Sequence, residues 1–353
     1  MLAPETIHAG GAKNEPKIAV VRALNHWDSG WYAAIATDGY SYQGPSVQSP
    51  VAFFPGYGLV MRPLIALGLN PFVAGELVTL VCGLAALVLL LRWEAKVRVR
   101  QQLPPGTTGT LALALYPFAF YLYGVMYSDA LYLLLAVAAF VSLEDDRPAL
   151  AAVLGALATA CRPIAPALMV GLLVRSLELR RRAGLKLRPV DLLPALAGLG
   201  LAAYAFFLWV KFDDPLAFAH VQAAAGWDQP PGLDTWAKVA WFQTMFPRVA
   251  PLVAVRLAGH ALATLVALAL VIPTWKKLGP GYGLYCLIAI GLPALSSKDF
   301  MGLGRYALAA FPIFLALGLL LEARPRVRAG WLTASACLLL VLAFAFGGGA
   351  YVS

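Results

Sequence analysis

The chain has 353 residues, of which 61% are hydrophobic and 13% charged, about half the charged share of an ordinary soluble domain. With a mean hydropathy of +0.74, these figures exclude a soluble globule. The apolar stretches are continuous and rich in Leu and Ala rather than alternating, which excludes an outer-membrane barrel and leaves an all-α polytopic membrane protein. The net charge of +9 does not point to nucleic acid, because the cations are gathered into clusters between apolar runs.

In chain order, no signal-peptide core occupies the first twenty residues, and residues 1 to 71 form a large segment ahead of the first clear span. Within it, Phe53-Phe54-Pro55 and the stretch 56 to 69 are too short and too aromatic for a span and predict an interfacial helix. Apolar runs then predict ten membrane helices, near 72 to 92, 108 to 126, 129 to 143, 149 to 162, 163 to 177, 190 to 211, 251 to 273, 278 to 295, 306 to 321 and 329 to 347. The first six lie in 72 to 211 and the last four in 251 to 353, separated by a second large segment, 212 to 250.

The basic clusters are Arg92, Lys96, Arg98 and Arg100; Arg175, Arg180 to Arg182, Lys186 and Arg188; Lys276 and Lys277; and Arg324, Arg326 and Arg328. With strict alternation of the spans they fall on one face, cytoplasmic by the positive-inside rule. Segments 1 to 71 and 212 to 250 then lie on the outer face. Connections this long are usually functional. Translocating so long a polar N-terminal segment calls for a further helix upstream of Met1, or for translocation driven by the 72 to 92 helix.

Cys82, Cys161, Cys286 and Cys337 lie in apolar runs without CxxC spacing and read as small core residues. Asp213-Asp214 lacks a second acidic cluster and reads as capping or solvated. Neither a metal nor a cofactor is expected. GxxxxGK[ST], HExxH, GxGxxG and GxSxG are all absent.

One segment does carry chemistry: Asn25-His26-Trp27-Asp28-Ser29-Gly30-Trp31-Tyr32, continuing to Asp38-Gly39-Tyr40. A carboxylate between Trp27 and Trp31 at a membrane surface is partly desolvated, which raises its basicity toward a hydroxyl group. The neighbouring aromatic faces could stack on a sugar ring. An interfacial aromatic belt with a helix-capping Asp28 explains the same residues without chemistry.

The run HWDSGWYAAIATDGY, followed by Ala52-Phe53-Phe54-Pro55-Gly56-Tyr57 and Tyr127-Ser128-Asp129-Ala130-Leu131, resembles the PIG-V family. This family comprises the second mannosyltransferase of GPI-anchor assembly and its bacterial relatives. The resemblance extends to Ala160-Cys161-Arg162-Pro163, to Gln222 with Trp227, and to Gly304-Arg305-Tyr306 before Phe311-Pro312. It implies the GT-C architecture of polytopic glycosyltransferases, with a first family helix missing here. The activity it implies is inverting transfer of a sugar, mannose by analogy, from a polyprenyl-phosphate donor to a lipid, glycan or protein acceptor at the outer face of the plasma membrane.

By that resemblance Asp28 is the general base, and Arg162, Arg305 and Lys298 are candidates for holding the departing phosphate. The alternative for each arginine is snorkelling or pairing with an acid such as Asp129 or Asp299. Arg256 reads as structural. Asp129 stands where the family usually has Glu, and helix capping explains it without a substrate role. Candidate substrate contacts are His26, Trp27, Trp31, Tyr32, Tyr40, Phe54 and Pro55 in the first segment and Asp129 at the start of the 129 to 143 helix, with Gln222 and Trp227 in the second segment serving the acceptor. The competing reading is a transporter or flippase of a lipid or lipid-linked sugar, which predicts ionisable residues at mid-membrane and internally repeated broken helices. Neither stands out in the sequence.

Overall fold

Proline sets many of the helix starts. In the computed structural model, which describes residues 18–246 and 250–352, Pro55, Pro71, Pro148, Pro251, Pro280, Pro312 and Pro325 each open a helix. There the missing N–H costs no hydrogen bond and the fixed φ is already helical. The expected outer-face elements within residues 1–17 and 247–249 lie outside the described residues.

Two short helices, α1 (Ala19–Leu24) and α2 (Ser29–Thr37), flank the Asn25–Asp28 turn, and a 3-10 turn at Pro50–Ala52 leads to α3 (Pro55–Ala66). There follow α4 (Pro71–Arg100), α5 (Thr108–Ala114), α6 (Asp129–Glu144), α7 (Pro148–Thr159) and α8 (Ala165–Arg182). A 3-10 stretch, Pro189–Gly198, runs into α9 (Leu199–Phe212). Three short helices, α10 (Ala217–His220), α11 (Leu233–Trp236) and α12 (Val239–Met245), occupy the second large segment. The chain then forms α13 (Pro251–Leu278), α14 (Pro280–Ser296), α15 (Leu303–Tyr306), α16 (Pro312–Glu322) and α17 (Pro325–Gly347). No strand occurs among the described residues.

This is a helical membrane protein. Four helical units are long and apolar enough to cross a bilayer: α4, the Pro189–Phe212 unit, α13 and α17. A fifth is formed if α16 and the helical turns before it, Leu303–Ala310, count as one span with a bend of 84°. Two of the expected continuous helices are broken and a third changes form along its length. The 108 to 126 run stops at Ala114 because Pro117 follows closely, and the chain instead turns through a 3-10 stretch, Ala119–Leu122, to Gly124 at φ 128°, a conformation that favours glycine. In the 306 to 321 run, Pro312 cannot donate to the preceding turn and restarts the helix after the bend. The first half of the 190 to 211 run, which contains Pro194, is 3-10 rather than α. The 56 to 69 stretch does form a short helix, α3; its twelve residues reach about 18 Å, too little to cross.

The core is centred on α6, which packs on α4, α7 and α8 and is apolar on all sides, as a helix buried within a bundle must be. Close approach is achieved with small residues. A Cβ added to Gly83 of α4 would lie 1.9 Å from the Leu122 carbonyl oxygen, so α4 rests directly on the 3-10 turn. Three of the cysteines are buried, but Cys337 of α17 is exposed, a correction to its expected core placement.

Charged residues mark both ends of this core. At one end, Glu144, the last residue of α6, receives Arg175 of α8 at 2.6 Å and Arg100 of α4 at 3.1 Å. Tyr282 of α14 also donates to Glu144 at 2.8 Å, and Arg188 meets Asp146 at 2.9 Å. Arg98 bridges Glu94 and Glu322, which lies two residues before Arg324 in the sequence. The basic clusters of the sequence are thus gathered at one end of the bundle. The first residue of α6, Asp129, lies at the other end, about 24 Å away for a helix of sixteen residues.

Candidate functional site

The turn Asn25–Asp28 joins α1 to α2 at the Asp129 end. Asn25 caps α1 and donates its amide to Val21 at 2.7 Å and to Glu76 of α4. Trp27 takes a left-handed backbone, φ 57°, which is strained for a bulky residue by about 1–3 kcal/mol. Asp28 follows as the N-cap of α2 but makes no side-chain cap bond. Its carboxylate is therefore not spent on the helix, contrary to the capping alternative, and points to cationic neighbours instead.

Those neighbours are two buried arginines. Arg305 of α15 places Nη1 3.4 Å from Asp28 Oδ2 and Nε 4.0 Å from Asp129 Oδ2. Arg162, in the turn between α7 and α8, pairs closely with the other oxygen of Asp129. Tyr306 lies beneath both guanidinium groups, at 5.1 Å from Arg162 and 5.0 Å from Arg305, and Tyr121 and Tyr127 line the other faces of Arg305. Two carboxylates and two guanidinium groups thus alternate in one chain of contacts. Arg305 Nε has no hydrogen-bond acceptor among the described residues. The Asp28 side chain stays 29% exposed, whereas Asp129 is 3% exposed. Burial pushes the Asp28 carboxyl above the ordinary carboxylate range, against the opposing pull of Arg305.

An aromatic wall stands next to this cluster. Trp31 stacks on Phe53 at 5.9 Å and meets Trp227 edge-on at 6.0 Å, and Phe53 meets Trp227 at 6.0 Å. The two large segments, far apart in sequence, are thereby joined. Tyr32 is buried and bonds Ser128 at 2.9 Å, fixing α2 against the start of α6. Trp27 packs edge-on against Tyr351 at 4.8 Å, and Arg256 holds the Tyr351 carbonyl at 2.8 Å, in keeping with its structural reading.

Several expected contacts fall elsewhere. Phe54 is 1% exposed, packed on Tyr204 and Phe218; the outward aromatic of the pair is Phe53, because adjacent side chains in an extended segment face opposite sides. Pro55 opens α3. The Tyr40 hydroxyl donates to the Phe53 carbonyl at 2.8 Å, bracing the wall from behind. His26 uses its carbonyl, which accepts from Ser29 at 3.1 Å, while its imidazole packs on Phe346. Gln222 donates to Phe218 one turn back. Lys298 pairs with Asp228 at 3.4 Å rather than with the Asp28 cluster. Asp214 accepts from Leu216 N at 3.0 Å in the turn before α10 and receives Tyr42 and His220.

Compared with known proteins, the chain matches no family model and no curated sequence. Sequence reasoning missed the tyrosines that cradle Arg305. Tyr127 and Tyr306 sit inside the motifs quoted above and were visible as neighbours of the acid and the arginine; Tyr121 had no signal in the sequence.

Proposed function

We propose that the protein is a membrane glycosyltransferase that moves a sugar from a polyprenyl-phosphate donor to an acceptor hydroxyl, with inversion and with Asp28 as the general base. The observation that carries this reading is Asp28 itself: partly exposed, held in a raised titration range, free of capping duty, and set against a buried arginine pair. A base of raised pKa is better matched to taking a hydroxyl proton near neutral pH. The acceptor oxygen attacks the anomeric carbon as Asp28 takes its proton. The bond from that carbon to the phosphate oxygen breaks, and its electrons leave with the phosphate. Arg305 then loses the charge of Asp28 as a partner at the moment the phosphate gains charge, so its positive charge passes from the carboxylate to the leaving group.

The finer parts of the reading rest on the motif resemblance to the PIG-V family. They are a GT-C bundle of about ten spans, in which α5, α6, α7, α8 and α14 join the longer units, and a site on the outer face of the plasma membrane, opposite the basic end. An apolar groove of about 340 Å³ is lined by Ala165, Pro166, Met169, Leu201 and Phe218, with none of the charged cluster in its lining. It suits the hydrocarbon chain of a lipid carrier. Trp31, Phe53 and Trp227 suit the sugar or the acceptor, and mannose is the sugar the resemblance favours.

The test is a transfer assay on detergent-purified protein with labelled polyprenyl-phosphate mannose and a mixed lipid and glycan acceptor extract, alongside Asp28→Asn. Transfer from the lipid-linked donor, reduced about 10³-fold or more by the substitution in a protein of unchanged melting temperature, is expected of a general base. Uptake of the lipid-linked sugar into liposomes with no covalent product would replace this reading with transport.

A further inference from the structure

The most constrained contact around Asp28 is made by a side chain outside the charged cluster. Tyr127 lies in the connection before α6, is 1% exposed, and reaches across to the turn between α1 and α2. Its hydroxyl donates to the His26 carbonyl at 3.2 Å and accepts from the Asp28 backbone N–H at 3.1 Å. These peptide groups flank Trp27, the residue held in the left-handed region. One hydroxyl therefore closes both sides of a strained residue. The ring of the same side chain supports the Arg305 guanidinium at 4.9 Å.

A buried tyrosine needs a partner for its hydroxyl, and most partners would serve that need. Tyr57, equally buried at the same end of the bundle, donates to the Gly75 carbonyl of α4 at 2.7 Å and meets Thr79 at 2.7 Å; its ring packs edge-on against Tyr32 at 5.0 Å, a contact that phenylalanine keeps, and its hydroxyl bonds neither His26 nor Asp28. Tyr127 instead binds the two peptide groups that set the direction of the Asp28 side chain. We propose that Tyr127 is a positioning residue for Asp28 and Arg305: its hydroxyl clamps the left-handed Trp27 turn and its ring backs the guanidinium, so that one rigid side chain registers the carboxylate against the cation. The proposal rests on the reading of Asp28 as the base. It adds that the strain at Trp27 is retained because it aims the base, as strained residues at functional sites do.

Two measurements on Tyr127→Phe, with Tyr57→Phe as the matched loss of a buried hydroxyl, test it. The first needs no activity: hydrogen exchange of the 26–29 peptide read by mass spectrometry. Tyr127→Phe removes the acceptor of the Asp28 N–H, and exchange there is expected to speed up by about 10-fold or more, as for a locally opened segment, while Tyr57→Phe leaves it unchanged. The second is kinetic. Tyr127→Phe is expected to lower kcat about 10- to 100-fold with the donor KM within two-fold, since misplacing a catalytic group by about 1 Å costs on that order. Tyr57→Phe lowers the melting temperature comparably without touching kcat. Unchanged exchange in Tyr127→Phe, or equal kinetic losses in the two variants, overturns the clamp. Faster exchange with full kcat overturns the positioning role. Faster exchange in a protein whose wild type transfers no sugar leaves the clamp standing and removes the proposed function instead.

Discussion

The two ends of the α6 core use the same ingredients, buried arginines against carboxylates, in different states of completion. At the basic end Arg175 has Glu144 at 2.6 Å and Glu178 at 3.2 Å, with Tyr282 beneath it at 4.7 Å. Arg98 has Glu94 at 2.9 Å, Glu322, and the Pro104 carbonyl at 2.9 Å. At the opposite end Arg162 is tightly paired, but Arg305 keeps its carboxylates at 3.4 and 4.0 Å. Its cradle of tyrosine faces holds the charge without saturating its donors. A network whose ion pairs all close to 3.2 Å or less acts as a clasp between helices. One whose cation stands back from its carboxylates, beside a partly exposed acid, has room for a further partner.

The largest effect that separates the ends should come from truncating one arginine in each. Removing one partner of a fully buried pair leaves a stranded charge and costs about 3–5 kcal/mol, so Arg175→Met is expected to abolish folded protein or lower its melting temperature steeply in a detergent thermal scan. Arg305→Met removes a cation whose pairs are long; it should retain most of the thermal stability yet lose about 10²–10³-fold in transfer, the scale of a lost electrostatic contact in a transition state. If the two variants lose stability alike and a residual folded Arg305→Met protein keeps full transfer, the ends are equivalent and the contrast fails.

A smaller effect concerns pH. Burial favours the protonated form of Asp28, so the folded protein holds that proton more tightly than the unfolded chain does. The resulting stability is fully present below the ordinary aspartate range and is lost as pH rises through the raised folded value. Activity moves the opposite way, because only the ionised base accepts a proton. Melting temperature and kcat/KM should therefore trend in opposite directions across that window, and Asp28→Asn should flatten the stability trend. A stability profile identical in the two proteins would mean that Asp28 is solvated like any surface acid.

Much of this arrangement was legible in the sequence because it depends on short-range chemistry. The proline starts, the basic clusters, the start of α6 at Asp129 and the meeting of Trp31 with Trp227 follow from residue type and from which long segments share an end. The breaks at Pro117 and Pro312 were less legible: a hydropathy window averages over a proline, while the backbone cannot. The inward turn of Phe54 depended on tertiary packing against Tyr204, and the reach of Tyr127 to residues 26 and 28 on a contact spanning about a hundred positions, which no local pattern encodes.

The smallest predicted effect tests whether the aromatic wall belongs to the reactive end or only closes it. Trp227 meets Trp31 and Phe53, whereas Trp236 of the same segment is 53% exposed and has neither contact. Loss of one aromatic pair is worth about 0.5–1.5 kcal/mol, which converts to roughly two- to ten-fold in an equilibrium constant. Trp227→Ala is therefore expected to raise an acceptor or donor KM by that factor with kcat nearly unchanged, and Trp236→Ala to change neither. The split matters more than the size. A wall that binds substrate equally in ground and transition states shows itself in KM alone, whereas a wall that only braces Trp31 beside Asp28 would lower kcat with KM intact and join Tyr127 as support for the base.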